Sequence, residues 1–168
     1  HLTETLLNIG ARIKALAQYN SLNSWGWLED ISCLNEIEVI SGDIRDFNFL
    51  KKITKDVDII FNLAALIAIP YSYIAPDSYV DTNIKGTLNI CQSGLENGVE
   101  KIIHISSSEV YGTAEYAPMD EKHPLNAPHP YGASKIAADR TCNAYMKTYG
   151  MDICIMRPFN IFGPKQKD

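Results

Sequence analysis

The sequence predicts an α/β protein built on a parallel sheet, and three observations carry that expectation. Short, apolar, β-branched runs, as in "IEVISGDIRD", "EKIIHISSS" and "MDICIMRPFNIFG", alternate with longer segments of helical periodicity. The run "DVDIIFNLAA" is continuously apolar, the pattern of a strand covered on both faces. Small or polar residues gather just beyond these strands, in "GDIRD", "NLAA" and "SSSEVYG". Ligands of open parallel sheets bind in the crevice outside the carboxyl ends of the strands, so three such ends outline one site.

Each element has a local reason. Leu2, Leu6, Leu7 and Ile9 recur at helical spacing, and Gly10 stands where a glycine closes a helix. "ARIKALA" reads as a short strand, followed by the polar, aromatic loop "QYNSLNSWGWLED". "IEVIS" is the next strand, with Asp46 the expected N-cap of a helix over "FNFLKKIT". After "DVDIIFNLAA" a long helix is expected over about 77–97, closed by "ENG". "EKIIHISSS" is a strand, and a proline-rich loop leads to the helix "YGASKIAADRTCNAYMKTYG", which ends at Gly150. "MDICIM" forms the last strand.

The 168 residues fit one domain with room for a sizeable core. A net charge of -5 with no stripe of Lys or Arg speaks against nucleic-acid binding. Asn62 and Pro70 break "DIIFNLAALIAIPY", the longest apolar run, so no membrane span is expected. Without a signal-peptide pattern, the expected location is cytoplasmic. Cys33, Cys91, Cys142 and Cys154 show no metal-ligand spacing and read as small buried hydrophobes in a reducing compartment. The chain enters a helical pattern directly at His1 and stops at "GPKQKD", so both ends read as cut.

The chemistry concentrates in two stretches. Ser106, Ser107, Ser108, Glu109 and Tyr111 arrive within six residues of a strand end, more polar groups than a turn needs. In "YGASK", Tyr131 and Lys135 lie one helical turn apart on one face. A phenol is a poor base, with a reference pKa of about 10, and a nearby ammonium favours its phenolate. Such a pair exchanges a proton with a substrate hydroxyl near neutral pH, oriented by a serine from a neighbouring strand end. Alone, Tyr-x-x-x-Lys is common on solvated helices. It gains weight by following a serine-rich strand end by one loop.

Taken in order, "GDIRD", "FNLAA", "DTNIKGTLN", "SSSEVYG", "YGASK" and "RPFNIFGP" resemble the motifs of the extended short-chain dehydrogenase/reductase family. More narrowly, they resemble its NAD-dependent epimerase/dehydratases acting on nucleotide sugars. The resemblance implies a Rossmann-like doubly wound sheet holding NAD or NADP, with residues 1–168 a partial domain. The first strand, the glycine-rich loop and the C-terminal substrate-binding part would be missing, leaving "ARIKALA" and "DVDIIFNLAA" without their common neighbour. Asp43 and Ile44 would meet the adenine, and Leu63, Ala64 and Ala65 would pass beside the pyrophosphate and ribose. Ser106 would line the cofactor, Lys135 would bond the nicotinamide ribose, and Pro158 and Asn160 would lie beside nicotinamide and substrate. "ALAQYNS" offers neither a carboxylate nor an arginine to the ribose 2′-OH, so NAD versus NADP stays open, with NAD favoured.

Glu109 points to a particular reaction. A 4-epimerase needs only Ser107, Tyr131 and Lys135, and resembling epimerases carry a small residue at the position of Glu109. A 4,6-dehydratase also needs a carboxylate to take the C5 proton once C4 is oxidised. "SSSEVYG" resembles the dehydratase pattern; Ser107 replaces the common Thr, and Ser108 stands where dTDP-glucose dehydratases have Asp and GDP-mannose dehydratases have Ser. "YNSLNSWGWLE" and "AALIAIPYSY" resemble dehydratases of legionaminic-acid-type pathways, implying a UDP- or GDP-linked N-acetylglucosamine faced by Ser72 and Tyr73. The expected protein is therefore a 4,6-dehydratase, homodimeric at full length and inactive as this fragment. A 4-epimerase and a non-catalytic nucleotide-binding module are the alternatives. His104 reads as a packed strand residue, and His123 and His129, each before a proline, as surface-loop residues.

Overall fold

The computed structural model describes residues 1–163. Residues 164–168, from Pro164 of "RPFNIFGP" through "PKQKD", lie outside the described residues. The elements are α1 (Leu2–Asn8), β1 (Lys14–Gln18), β2 (Glu38–Gly42), α2 (Phe47–Ile53), β3 (Ile59–Asn62), α3 (Ile69–Ile74), α4 (Pro76–Tyr79), α5 (Gly86–Asn97), β4 (Lys101–Ile105), α6 (Pro130–Tyr149) and β5 (Ile153–Met156). Their alternation is the one the apolar runs predict.

Helix ends follow the local chemistry. Gly10, at φ +86°, closes α1: its N–H bonds Leu7 O at 2.8 Å while Ala11 N–H bonds Leu6 O at 3.0 Å. Asp46 caps α2 by accepting the Phe49 N–H at 3.0 Å. Gly98 and Gly150, both left-handed, end α5 and α6. The helix expected over 77–97 runs unbroken from Pro76 to Asn97, except that Val80–Lys85 widens into a π-helical turn. Such turns recur at functional sites, and this one carries the buried Asn83.

All strand pairs are parallel. β1 pairs with β2, with Leu16 opposite Ile40. The second sheet has the order β3-β4-β5, with Asn62 opposite His104 and His104 opposite Ile155. Among the described residues no strand joins the two sheets, so β1 and β3 each keep one unpaired edge. Consequently β3 is not covered on both faces as its composition suggests: Ile59 is exposed, as is Leu63 just beyond it.

The core lies between β4, β5 and helices α2, α5 and α6, built on Leu50, Ile90, Ile102, Cys142 and Ile153. Burying a side chain the size of Leu50 is worth about 2 kcal/mol. Cys91 and Cys142 bring α5 and α6 together, their sulfurs 4.0 Å apart. Cys154, expected inside, is exposed on β5, where the side chain opposite a buried Ile153 faces out.

Candidate functional site

The loops at the carboxyl ends of β2 and β3 are fixed by side chains of one motif, "DTNIKGTLN". Asn89 Nδ2 donates to both Ile44 O and Arg45 O, at 3.0 Å each, clamping the loop after β2. Asn83 clamps the loop after β3: its Oδ1 accepts the Leu66 N–H at 2.8 Å and its Nδ2 donates to Leu66 O at 2.9 Å. The same Nδ2 reaches Ser134 Oγ on α6 at 2.9 Å. A Cβ on Gly86 would collide with the Ile44 side chain, so glycine lets α5 approach that loop. Read from the sequence alone, this motif assigns its residues no role. The signal was there: two asparagines in a helix interior, where asparagine is unfavourable unless its amide is used.

Beyond β4, the chain turns sharply through Ser108–Val110 and lies against the first turn of α6. Ser107 caps that turn by accepting the Glu109 N–H at 3.2 Å. Gly112 ends the segment at φ +68°, and a Cβ there would also strike Asn126 O. On α6, Tyr131 is buried, and Lys135 reaches back to donate to Ile105 O at 2.6 Å. Desolvation pulls the Lys135 ammonium down to about 8, opposed by the negative charge of Asp139.

Glu109 opens on a cavity of about 440 Å³ lined also by Ser108, Gly112, Met119, Phe159 and Asn160. Its Oε2 lies 3.0 Å from His129 Nε2, and His129 Nδ1 accepts the Gly132 N–H at 3.0 Å. The His129 ring is parallel to that of Tyr131, with centroids 5.9 Å apart. His129 and His123 are therefore not surface-loop residues. His129 is the N-cap of α6, and His123 is buried between Tyr111 and Tyr116, accepting the Glu115 N–H at 2.9 Å. Prolines and charges around both make them read as solvated loop, and only the tertiary packing buries them.

The remaining expected residues are placed unevenly. Ser108 and Asn160 share the cavity with Glu109, and Pro158 accepts the Ser108 N–H at 3.0 Å. Ser72 does not face it: fully buried, it donates its hydroxyl to Ile69 O inside α3, while Tyr73 is exposed on the same helix. Ile44 turns its side chain into the core, leaving only its backbone edge for a ligand. Both Asp43 oxygens accept from Arg45, which holds that carboxyl below its ordinary range, and the pair borders a second cavity of about 390 Å³ with Asp46, Asp81 and Lys85. Trp25 donates to Ser41 Oγ at 3.2 Å, tying the aromatic loop to β2.

The strand ends fit a dinucleotide. Ser106 Oγ is buried with no protein partner among the described residues, a donor and acceptor that a ligand hydroxyl would satisfy. Ala64 is exposed and Ala65 half-buried after β3, leaving a surface that a ligand can approach closely. Behind the site, His104 is a packed strand residue: Asn62 Nδ2 lies 3.2 Å from its Nδ1, and burial brings its pKa down to about 3. Asp139, fully buried, accepts from Arg157 Nε at 2.9 Å, and Arg157 lies over the Tyr111 ring.

The full chain, residues 1–168, matches the family model described as GDP-mannose 4,6 dehydratase. A putative UDP-glucose 4-epimerase from Methanocaldococcus jannaschii is 37% identical over 131 residues, covering 77% of this chain and 43% of that protein. A crystal structure of a dTDP-glucose 4,6-dehydratase from Streptomyces venezuelae, with NAD bound, superposes with a TM-score of 0.88 at 30% identity, covering 98% of this chain and 52% of its own. A UDP-N-acetylglucosamine 4-epimerase from Methanobrevibacter ruminantium, in complex with UDP-N-acetylmuramic acid, gives 0.89 at 30% identity, covering 99% and 53%. The chain spans about half the length of these relatives. Among the described residues, no helix is long and apolar enough to cross a membrane.

Proposed function

Since the chain belongs to the GDP-mannose 4,6-dehydratase family, we propose that the full-length protein is a nucleotide-sugar 4,6-dehydratase using NAD. The observation that carries this reading is Glu109, a carboxylate opening on the cavity from the turn beside Tyr131. A UDP- or GDP-linked N-acetylglucosamine is the proposed substrate. The two loops of legionaminic-pathway type support it, as does the neighbouring epimerase described for UDP-N-acetylglucosamine.

Bound at the strand ends, a nicotinamide would supply a hydride acceptor for C4 and a hydride donor for C6. Ser107 and Tyr131 bracket the C4 hydroxyl, and the Tyr131 oxygen takes its proton as the ketone forms. Lys135 keeps a positive charge one turn away, held by Ile105 O. The new ketone acidifies C5–H; Glu109 takes that proton as the C6 hydroxyl accepts one from solvent water and leaves as water, and Glu109 gives a proton back to C5 when the hydride enters C6. Ser106 and Lys135 offer hydroxyl and ammonium to the cofactor's ribose, with Ala64 and Ala65 giving room beside it. Asn160 and Ser108 line the space for the sugar.

A 4-epimerase is the second reading, favoured by the Methanocaldococcus relative. Glu109→Gln and Tyr131→Phe separate the two in the full-length protein. In a single turnover, Glu109→Gln should accumulate reduced nicotinamide and 4-keto sugar, with elimination slowed about 10²–10⁴-fold. Tyr131→Phe should show no reduced nicotinamide. Wild-type turnover by Glu109→Gln would instead support the epimerase.

A further inference from the structure

Nothing in the proposed reaction uses His129, yet it touches both acid–base groups. The Gly132 N–H points at its Nδ1 at 3.0 Å, and only an unprotonated nitrogen accepts that bond. The ring proton of the neutral imidazole is therefore on Nε2, which faces Glu109 Oε2 at 3.0 Å. Capping α6 thus selects the tautomer that donates to the carboxylate. The ring is only 8% exposed and lies parallel to Tyr131, so it has little freedom to turn away. Glu109 itself is partly open, and its Oε1 has no protein partner among the described residues.

We propose that His129 is the positioning residue of Glu109: the Gly132→His129→Glu109 relay of hydrogen bonds fixes the carboxylate at the cavity wall, with Oε1 free for the C5 proton. This rests on the dehydratase reading above. A carboxylate on a three-residue turn at a cavity mouth otherwise samples several rotamers, and a charge-assisted bond from a buried ring removes that freedom. His129 touches no reacting atom, so its effect reaches the substrate only through Glu109.

Two substitutions divide the ring's functions. His129→Asn retains an oxygen that caps α6 but is too short to reach Glu109. His129→Gln places an amide N–H near the position of Nε2 but gives up the cap. Each is made in the full-length protein with NAD and the nucleotide sugar that it turns over, and assayed in single turnover in D₂O. Reduced nicotinamide reports C4 oxidation, and deuterium at C5 of the 4-keto sugar reports the step of Glu109. In His129→Asn, oxidation should stay within about threefold of wild type while C5 exchange falls about tenfold to a hundredfold. His129→Gln should recover most of that exchange despite a lower melting temperature. Wild-type exchange in His129→Asn overturns the proposal and leaves the dehydratase reading intact. An equal fall of both steps, unrescued by Gln, also overturns it, assigning His129 to folding or to Tyr131. Failure of the dehydratase reading shows separately, as wild-type turnover by Glu109→Gln.

Discussion

Gly132→Ala tests how tightly the Glu109 turn is seated on α6. Gly132 lies inside a helix, where alanine is ordinarily worth up to about 1 kcal/mol over glycine. Here the added methyl would stand 2.5 Å from Ala127 Cβ, 2.9 Å from Glu109 O and 3.1 Å from His129 Cε1. Carbon atoms in contact prefer about 3.5–4.0 Å, so the Ala127 contact is short by roughly an ångström. No rotamer relieves it, because Ala127 Cβ and Glu109 O move only with their backbones. Overpacking of this kind costs about 1–3 kcal/mol. After the full helix gain, a net loss of up to about 2 kcal/mol remains, or up to about 8 °C in a domain of this size. The relieving motion displaces the Glu109 turn or His129, and a 1 Å misplacement can cost about 10²-fold in rate. Differential scanning calorimetry and single-turnover elimination, both on the full-length protein, measure the two effects. Gly94→Ala is the control: its nearest neighbour is the flexible end of Ile102 at 3.1 Å, and it should melt within about 2 °C of wild type. An unchanged melting temperature and rate for Gly132→Ala would refute the close packing of turn against helix.

Two further substitutions probe charges buried behind the site. Lys135→Met should abolish turnover, and its stability relative to wild type should depend on pH. With its folded pKa lowered to about 8, Lys135 binds fewer protons folded than unfolded between about 8 and 10.4. Wild-type stability therefore gains as pH rises through that window, by at most about 3 kcal/mol, and any advantage of Lys135→Met should shrink by the same amount in urea melts from pH 7 to 10.5. Arg157→Leu leaves the fully buried Asp139 without the guanidinium that bonds it and should cost about 3–5 kcal/mol, most of it recovered by adding Asp139→Asn; equal losses in the single and double variants would contradict the pairing.

The sequence made the order of elements legible because each boundary rests on local chemistry: Gly10, Asp46, Gly98 and Gly150 all sit at the helix ends their types predict. The serine-rich turn and the Tyr131–Lys135 spacing were legible for the same reason, since one strand end and one helical turn fix both. What escaped was tertiary. The resemblance turns Ser72 toward the sugar, but α3 folds it inward and consumes its hydroxyl on Ile69 O. His129 and His123 look solvated, but one caps a helix and the other fills an aromatic niche. Asn83 and Asn89 act across 17 and about 45 positions of sequence, a reach no local pattern reveals.

The same distinction explains why dehydratases and epimerases resemble this chain at similar identity. Both reactions begin with C4 oxidation, so under the proposed function both draw on the clamped strand ends, the buried Lys135 and the phenol of Tyr131. These features recruit residues from β2 to α6 and dominate any whole-chain comparison. The reactions part only at C5, where a carboxylate is needed by one and idle in the other. A single side chain changes percentage identity by less than one residue in a hundred, yet a positioned base changes a rate by about 10²–10⁴. Discrimination therefore rests on whether Glu109 is held for that work. A solvated turn carboxylate has no need of a buried imidazole whose tautomer is set by a helix cap; here Nδ1 is committed to Gly132 and Nε2 to Glu109, at 3.0 Å each.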